Sequence, residues 1–328
     1  PIGTAGKGDA ARIYVGSVIK DDSTYKMWYS GLDTLWRIYY ATSPDGLTWT
    51  KYNNDIPAAT DGTSTNGGIP VGTAGKGDAS GVLDPQVIKV GDRYRMWYSG
   101  YDATNWRVFY ATSPDGIIWT KIDNTSPPDS NTTNSNGRLG RGTAGRGDDT
   151  ALRVPVVILD GNVYKMWYAA SDGSSYRVYH ATYPIPPPVI SNASAVDISF
   201  TNASLVGSLV STGGIPTEIY CYWGTADGGT NSANWANTNY LGTNSAGYLT
   251  NAISGLSSSI VYYFTFYATN WFNNAWANPS ESFSTLGQPV VTNTGATNVS
   301  TVFATLCGEV TSGSPAPEVY LYWGTTDQ

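Results

Sequence analysis

Two cysteines, one histidine and three methionines are all that this 328-residue chain holds of soft or redox-active side chains. Cys221 and Cys307 are too few for a disulfide scaffold or a zinc cluster. Both are expected to stay unpaired, with Cys221 in a sandwich core because it alternates with Ile219 and Trp223 in "EIYCYW". His180 has no histidine or cysteine partner, so no metal and no cofactor is expected. Charge is also scarce, at 13% of residues against about 25% in a typical domain. The 18 basic residues form no patch and the net charge is −7, which excludes nucleic acid as an expected partner, because phosphate binding needs clustered Lys and Arg. No apolar run approaches the roughly 20 residues of a membrane span. Glutamate is nearly missing: Glu218, Glu281, Glu309 and Glu318 are the only four, and none lies in the first 184 positions.

What the chain has instead is aromatic residues, glycine and repetition. "GTAGKGDA" occurs at 3–10 and 72–79 and returns as "GTAGRGDD" at 142–149. "YKMWYSG" at 25–31 is echoed by "YRMWYSG" at 94–100 and "YKMWYAA" at 164–170, and "WRIYYATSPDGLTWTK" at 36–51 by "WRVFYATSPDGIIWTK" at 106–121. The third echo, "YRVYHATYP" at 176–184, stops early. A fixed period with several landmarks marks a stacked repeat architecture. Aromatic and β-branched runs separated by turn residues predict strands. In "SPDG" the Pro presets φ, the Asp bonds the backbone ahead of it and the Gly takes φ > 0. Each repeat therefore reads as a four-stranded β-propeller blade, spanning 1–71, 72–141 and 142–184, and the third is expected to lack its outer strand because it has no "SPDG..W". The glycine phrase falls where the chain crosses from one blade's outer edge to the next blade's inner strand.

A Pro-rich linker is expected at 185–188. Beyond it, the text around "EIYCYWGTADGG" is echoed by "EVYLYWGTTDQ", with Trp223 and Trp323 one hundred residues apart. That spacing fits an immunoglobulin-like sandwich at 189–286 and an incomplete second copy at 287–328. The fold class expected is all-β throughout. Both ends of the sequence cut across a repeat unit, which predicts either a segment of a longer polypeptide or completion by other chains. An unfinished sandwich would expose a sheet edge, so residues 289–328 are expected to be completed either by downstream residues of the same longer chain or by self-association with a neighbouring subunit, within an extracellular fibre.

The stretch "LDPQVIKVGDRYRMWYSGYDATNWRVFYATSPDGIIWTK" resembles the blades of five-bladed β-propeller glycosidases of the invertase, levanase and arabinanase-like group, with D-P, M-W-Y-S-G and S-x-D-G-x-x-W in order. Residues 187–328 resemble fibronectin type III-like modules of large bacterial surface proteins. The first resemblance implies three inner-strand carboxylates, including a glutamate acid. Aligning the inner strands puts Val15, Asp84 and Val154 at one position, so Asp84 alone keeps a carboxylate and the implied glutamate has no counterpart in 1–184. The reading this favours is a non-catalytic structural or adhesive repeat protein, extracellular or on a cell surface. Two alternatives stand beside it: a carbohydrate-binding propeller, and a piece of a glycosidase whose catalytic blades lie outside the segment. The candidate glycan-contacting residues are Asp84 with the equivalent rings Trp36, Trp106 and Tyr176. The sequons at Asn124, Asn131, Asn192, Asn202 and Asn298 are candidate glycosylation sites. "RGD" at 146–148 reads as a repeat variant, since the sister copies have KGD, and the Asp-rich loops lack a calcium-loop pattern.

Overall fold

The computed structural model describes residues 1–129 and 137–326, and divides the chain into two compact units, Pro1–Ile185 and Pro186–Gln328. The described residues are all-β, with no α-helix and a single short 3-10 turn at Ser232–Asn234.

In the first unit each repeat folds as an antiparallel meander, the arrangement of a propeller blade. The first blade runs β1 (Arg12–Asp21), β2 (Thr24–Leu32), β3 (Trp36–Ser43) and β4 (Thr50–Lys51), paired in that order. A two-residue strand, β5 (Thr63–Ser64), follows and pairs with the outer strand of the next blade. The second blade is β6 (Gly81–Val90), β7 (Arg93–Tyr101), β8 (Trp106–Ser113) and β9 (Trp119–Lys121). The third has only β10 (Ala151–Asp160), β11 (Val163–Ser171) and β12 (Tyr176–Pro184). The missing fourth strand follows from the missing turn: in the first two blades the Asp of "SPDG" collects two backbone N–H groups at 2.8 Å, from Leu47 and Thr48 onto Asp45 and from Ile117 and Ile118 onto Asp115. Gly46 and Gly116 take φ of 77° and 81° there, which a side chain would resist.

The inner strand of every blade carries one β-bulge at the same place. Pairing slips between Tyr14 and Ser17, between Leu83 and Gln86, and between Arg153 and Val156. Asp84 and Val154 occupy the left-handed region at φ 54° and 52°, a costly conformation for a β-branched valine, so the bulge is imposed by the architecture. Blades pack face to face: Trp28, Ile38 and Tyr40 of the first share one core with Val87, Tyr94, Met96 and Trp119 of the second.

The second unit contains a two-sheet sandwich. One sheet is β13 (Val189–Val196), β14 (Asn202–Ser211) and β17 (Gly247–Ser254). The other is built from β15 (Thr217–Gly224), β16 (Asn237–Asn244), β18 (Val261–Thr269), β19 (Asn274–Trp276) and β20 (Glu281–Ser284). Alternation over Thr217–Cys221 in β15 puts Ile219 and Cys221 into the core with Leu205, Leu209, Phe264 and Phe266. Burial pushes the Cys221 thiol up to about 12, so it behaves as a small apolar side chain. Both cysteines are unpaired. After the sandwich, β21 (Gly287–Thr297) and β22 (Thr305–Ser314) form a ladder whose residues are almost all exposed, and the "EVYLYW" segment beyond it is exposed and not in a strand.

Candidate functional site

The glycine-rich phrase has a function that its glycines conceal, because its aspartate is the part that does the holding. Asp9 and Asp78 are fully buried. Asp78 accepts hydrogen bonds from Lys121 Nζ (2.7 Å), Asn124 Nδ2 (2.8 Å) and Tyr98 Oη (3.1 Å). Asp9 is held by the equivalent Lys51, Asn54 and Tyr29. Burial by itself would raise the Asp9 carboxyl, but these donors outweigh it and hold the group below its ordinary range. Each clamp ties the loop before the inner strand to the outer strand of the same blade. The glycines let the loop close around it: a Cβ on Gly72 would lie 2.2 Å from the Asp78 carboxylate. In the third blade the outer strand does not form, and Asp148, the aspartate of "RGD", keeps only a long contact with Tyr168 (3.4 Å) among the described residues.

Most other carboxylates of the first unit are also committed to structure. Asp33, Asp102 and Asp172 cap the same hairpin in each blade and pair with Arg37, Arg107 and Arg177. Asp61 holds Thr73 and Asn124; burial opposes its ionisation, yet these hydrogen bonds bring it down to about 2.

Asp84 stands in a different setting. It sits on the bulge of β6, half-buried, and its Oδ2 accepts from Ser99 Oγ at 2.9 Å, with the Arg153 guanidinium at 3.8 Å. Arg153 comes from the inner strand of the next blade and lies 4.3 Å from the Trp106 ring, a cation–π contact. Trp106 also stacks on Tyr101 at 4.5 Å and 18°. The bulge backbone is fixed by serines of the preceding blade: Asp84 N–H donates to Ser30 Oγ and Val154 N–H to Ser99 Oγ, both at 3.0 Å. A carboxylate, a guanidinium, a hydroxyl and two stacked rings thus meet at the junction of the second and third blades.

Of the four residues picked out in the sequence, contacts join Asp84 to Trp106 through Arg153. Trp36 stacks separately on Tyr14 at 4.6 Å, and Tyr176 stands on β12, 60% exposed. Ser99 and Arg153 went unrecognised in the sequence. Arg153 had a signal, for it breaks the repeat at a position that is Tyr14 and Leu83 in the sister strands. Among the described residues no group of three His, Cys, Asp or Glu side chains is placed to hold a metal. The sequons differ sharply. Asn124 is 2% exposed and its amide nitrogen serves Asp78 and Asp61, which takes it out of reach of a glycan in the folded chain. The Asn192 amide donates to the carbonyls of Ala277 and Pro279. Asn202 and Asn298 are exposed, and Asn131 lies outside the described residues.

No family model matches the chain. Two uncharacterised proteins of Mycobacterium tuberculosis, MT1551 and Rv1502, are each 30% identical to it over 193 residues, covering 55% of this chain and 54% of theirs. The chain therefore spans about half the length of the curated relatives it matches. Similar solved structures include Zg3597, a family 117 glycoside hydrolase of the marine bacterium Zobellia galactanivorans, at 13% identity, 84% of this chain, 71% of that chain and a TM-score of 0.38. The GH32 β-fructofuranosidase BmSUC1 of Bombyx mori is similar at 10% identity, 82% and 74% coverage and a TM-score of 0.37.

Proposed function

We propose that the chain is a non-catalytic, glycan-binding propeller module joined to sandwich modules in an extracellular or cell-surface protein. The observation that carries this reading is the Asp84–Arg153–Trp106 cluster. A sugar offers vicinal hydroxyls to a carboxylate and a guanidinium and an apolar face to an aromatic ring, and this junction sets the two charged groups beside the Tyr101–Trp106 stack. Hydrolysis needs a second carboxyl group, as acid, beside the first. Asp84 is neighboured instead by an arginine and a serine, so the chemistry supported is recognition. The two-sheet arrangement of β13–β20 supports a fibronectin type III-like module, and the exposed apolar side chains between Val290 and Trp323 support a role in attachment or fibre formation. Binding of the whole chain to an array of plant and microbial polysaccharides tests the reading. Asp84→Ala and Arg153→Ala are expected to abolish retention of a polysaccharide that the unaltered chain holds, with no release of reducing sugar. Retention unchanged in both variants, or reducing sugar released by the unaltered chain but not by Asp84→Asn, would overturn it.

A further inference from the structure

The packing of one blade on the next follows a rule that leaves two faces unsatisfied. On the trailing face of the first blade, Trp28 reaches into the second. Its Nε1 donates to Gly116 O at 3.0 Å, and its ring meets Trp119 edge-on at 5.9 Å and Tyr94 at 6.0 Å. Trp97, at the same position in the second blade, packs on Tyr164 of the third at 5.4 Å. Trp28 and Trp97 are 0% and 4% exposed. Trp167 is the third member of the set. Among the described residues its ring meets one other ring, its own blade's His180 at 4.9 Å, and it is 36% exposed, surrounded by exposed Val156, Ile158 and Val178.

The leading face of the first blade has the reverse problem. Ile13, Met27, Ala41, Leu47 and Trp49 line a hollow of about 230 Å³. Their counterparts in the second blade, Val82, Met96, Ala111, Ile117 and Trp119, belong to the core that takes in Trp28. Gly46 O accepts Trp49 Nε1 just as Gly116 O accepts Trp119 Nε1, and Gly116 O takes Trp28 on its other lone pair.

The rims carry a matching code. Where the first blade meets the second, Asp21 pairs with Lys26 of its own blade and takes Lys89 and Tyr94 from the next. Where the second meets the third, those positions read Val90 and Arg95 on one side and Leu159 and Tyr164 on the other. Acid faces lysine at one junction and valine is matched with leucine at the other, so the two sides change together. The trailing rim of the third blade is Asp160, paired with Lys165, a repeat of Asp21 and Lys26. The leading rim of the first blade is Lys20 lying 5.5 Å over Tyr25, a repeat of Lys89 lying 5.4 Å over Tyr94. One link does not recur, since Ala169 stands where Ser30 and Ser99 accept a bulge N–H.

We propose that the trailing face of the third blade docks on the leading face of the first blade in a second copy of this chain. Trp167 fills the hollow and donates to Gly46 O, while Asp160 and Lys165 meet Lys20 and Tyr25. The second blade stands between the first and the third, so the two faces point away from each other within one copy. The contact is head to tail, so it builds rings or filaments according to its rotation. It is independent of the glycan reading.

Sedimentation of the full chain over a concentration series tests the docking. Species at multiples of the 35.0 kDa chain mass are expected, and Trp167→Ala and Asp160→Lys should each weaken association by roughly tenfold or more, a change of about 1.4 kcal/mol. Adding Lys20→Asp to Asp160→Lys should restore it by recreating the pair with the signs exchanged. Circular dichroism of the variants confirms that each is folded. A chain that stays at 35.0 kDa throughout overturns the proposal, and so does association that persists unchanged in folded Trp167→Ala, which would place the contact on the exposed strands of the second unit.

Discussion

The second and third blades share a phrase, "YRMWYSG" against "YKMWYAA", and put it to different use. In the second, Tyr98, Lys121 and Asn124 converge on a fully buried Asp78 and Trp97 is covered by the next blade. In the third, Asp148 keeps a single 3.4 Å side-chain contact among the described residues and Trp167 faces outward. The aspartate, tyrosine and tryptophan are the same, but the outer strand that brings the lysine and the following blade that covers the tryptophan are both missing from the third repeat. A repeat residue in this fold therefore acquires its energetic role from its neighbours in space.

The clamps give the largest test of that difference. Asp78→Ala strands the buried Lys121 ammonium, and losing one partner of a buried pair costs about 3–5 kcal/mol. Asp148→Ala breaks only a partly solvated contact and should cost less than about 1 kcal/mol. Urea unfolding followed by tryptophan fluorescence reads both, and equal losses would erase the distinction between the blades. Next come the tryptophans. Trp28→Ala leaves a cavity in a dry inter-blade core and should cost about 3–5 kcal/mol, whereas Trp167→Ala, measured at dilutions where the chain is monomeric, should cost less than half as much.

Acid sharpens a second contrast, between the two units. Asp45 lies at about 2 because the N–H groups of Thr48 and Leu47 and the Ser43 hydroxyl favour its charge, and Asp61 also lies at about 2. Burial opposes the ionisation of Asp21, but Lys26, Lys89 and Tyr94 hold it lower still. A carboxyl held below its unfolded value of about 3.9 adds stability that is complete above that pH and lost as pH falls through the folded value. The first unit should therefore weaken between about pH 4 and 2, while the sandwich, held by an apolar core, keeps its signal. Near-UV circular dichroism separates the two, and a single transition shared by both units would contradict the assignment. The smallest effects belong to the bulge. Ser30→Ala removes one inter-blade hydrogen bond and should cost about 1 kcal/mol, Ser99→Ala removes its inter-blade bond and the one to Asp84 and should cost about 2 kcal/mol, and Ala169→Ser, with no following blade to meet, should change stability by less than about 0.5 kcal/mol.

The sequence by itself determined the elements. Alternation of Ile219 with Cys221, the "SPDG" turns and the recurring aromatic phrases are local patterns, and local backbone preference and side-chain period act over a few residues. They foretold the all-β fold, the blades and the loss of the third outer strand. Only the tertiary structure decided which faces are dry and which carboxylates are spoken for. Lys51 and Asp9 lie 42 residues apart, Lys121 and Asp78 lie 43 apart, and each pair exists because a four-strand meander returns its outer edge to the loop where it began. Asp84 meets Arg153 across a blade boundary, where no period within one repeat can register the contact. The same limit explains Asn124, which reads as a sequon in one dimension and proves to be a buried donor in three, because burial depends on a carboxylate from a distant loop and not on the three letters around it.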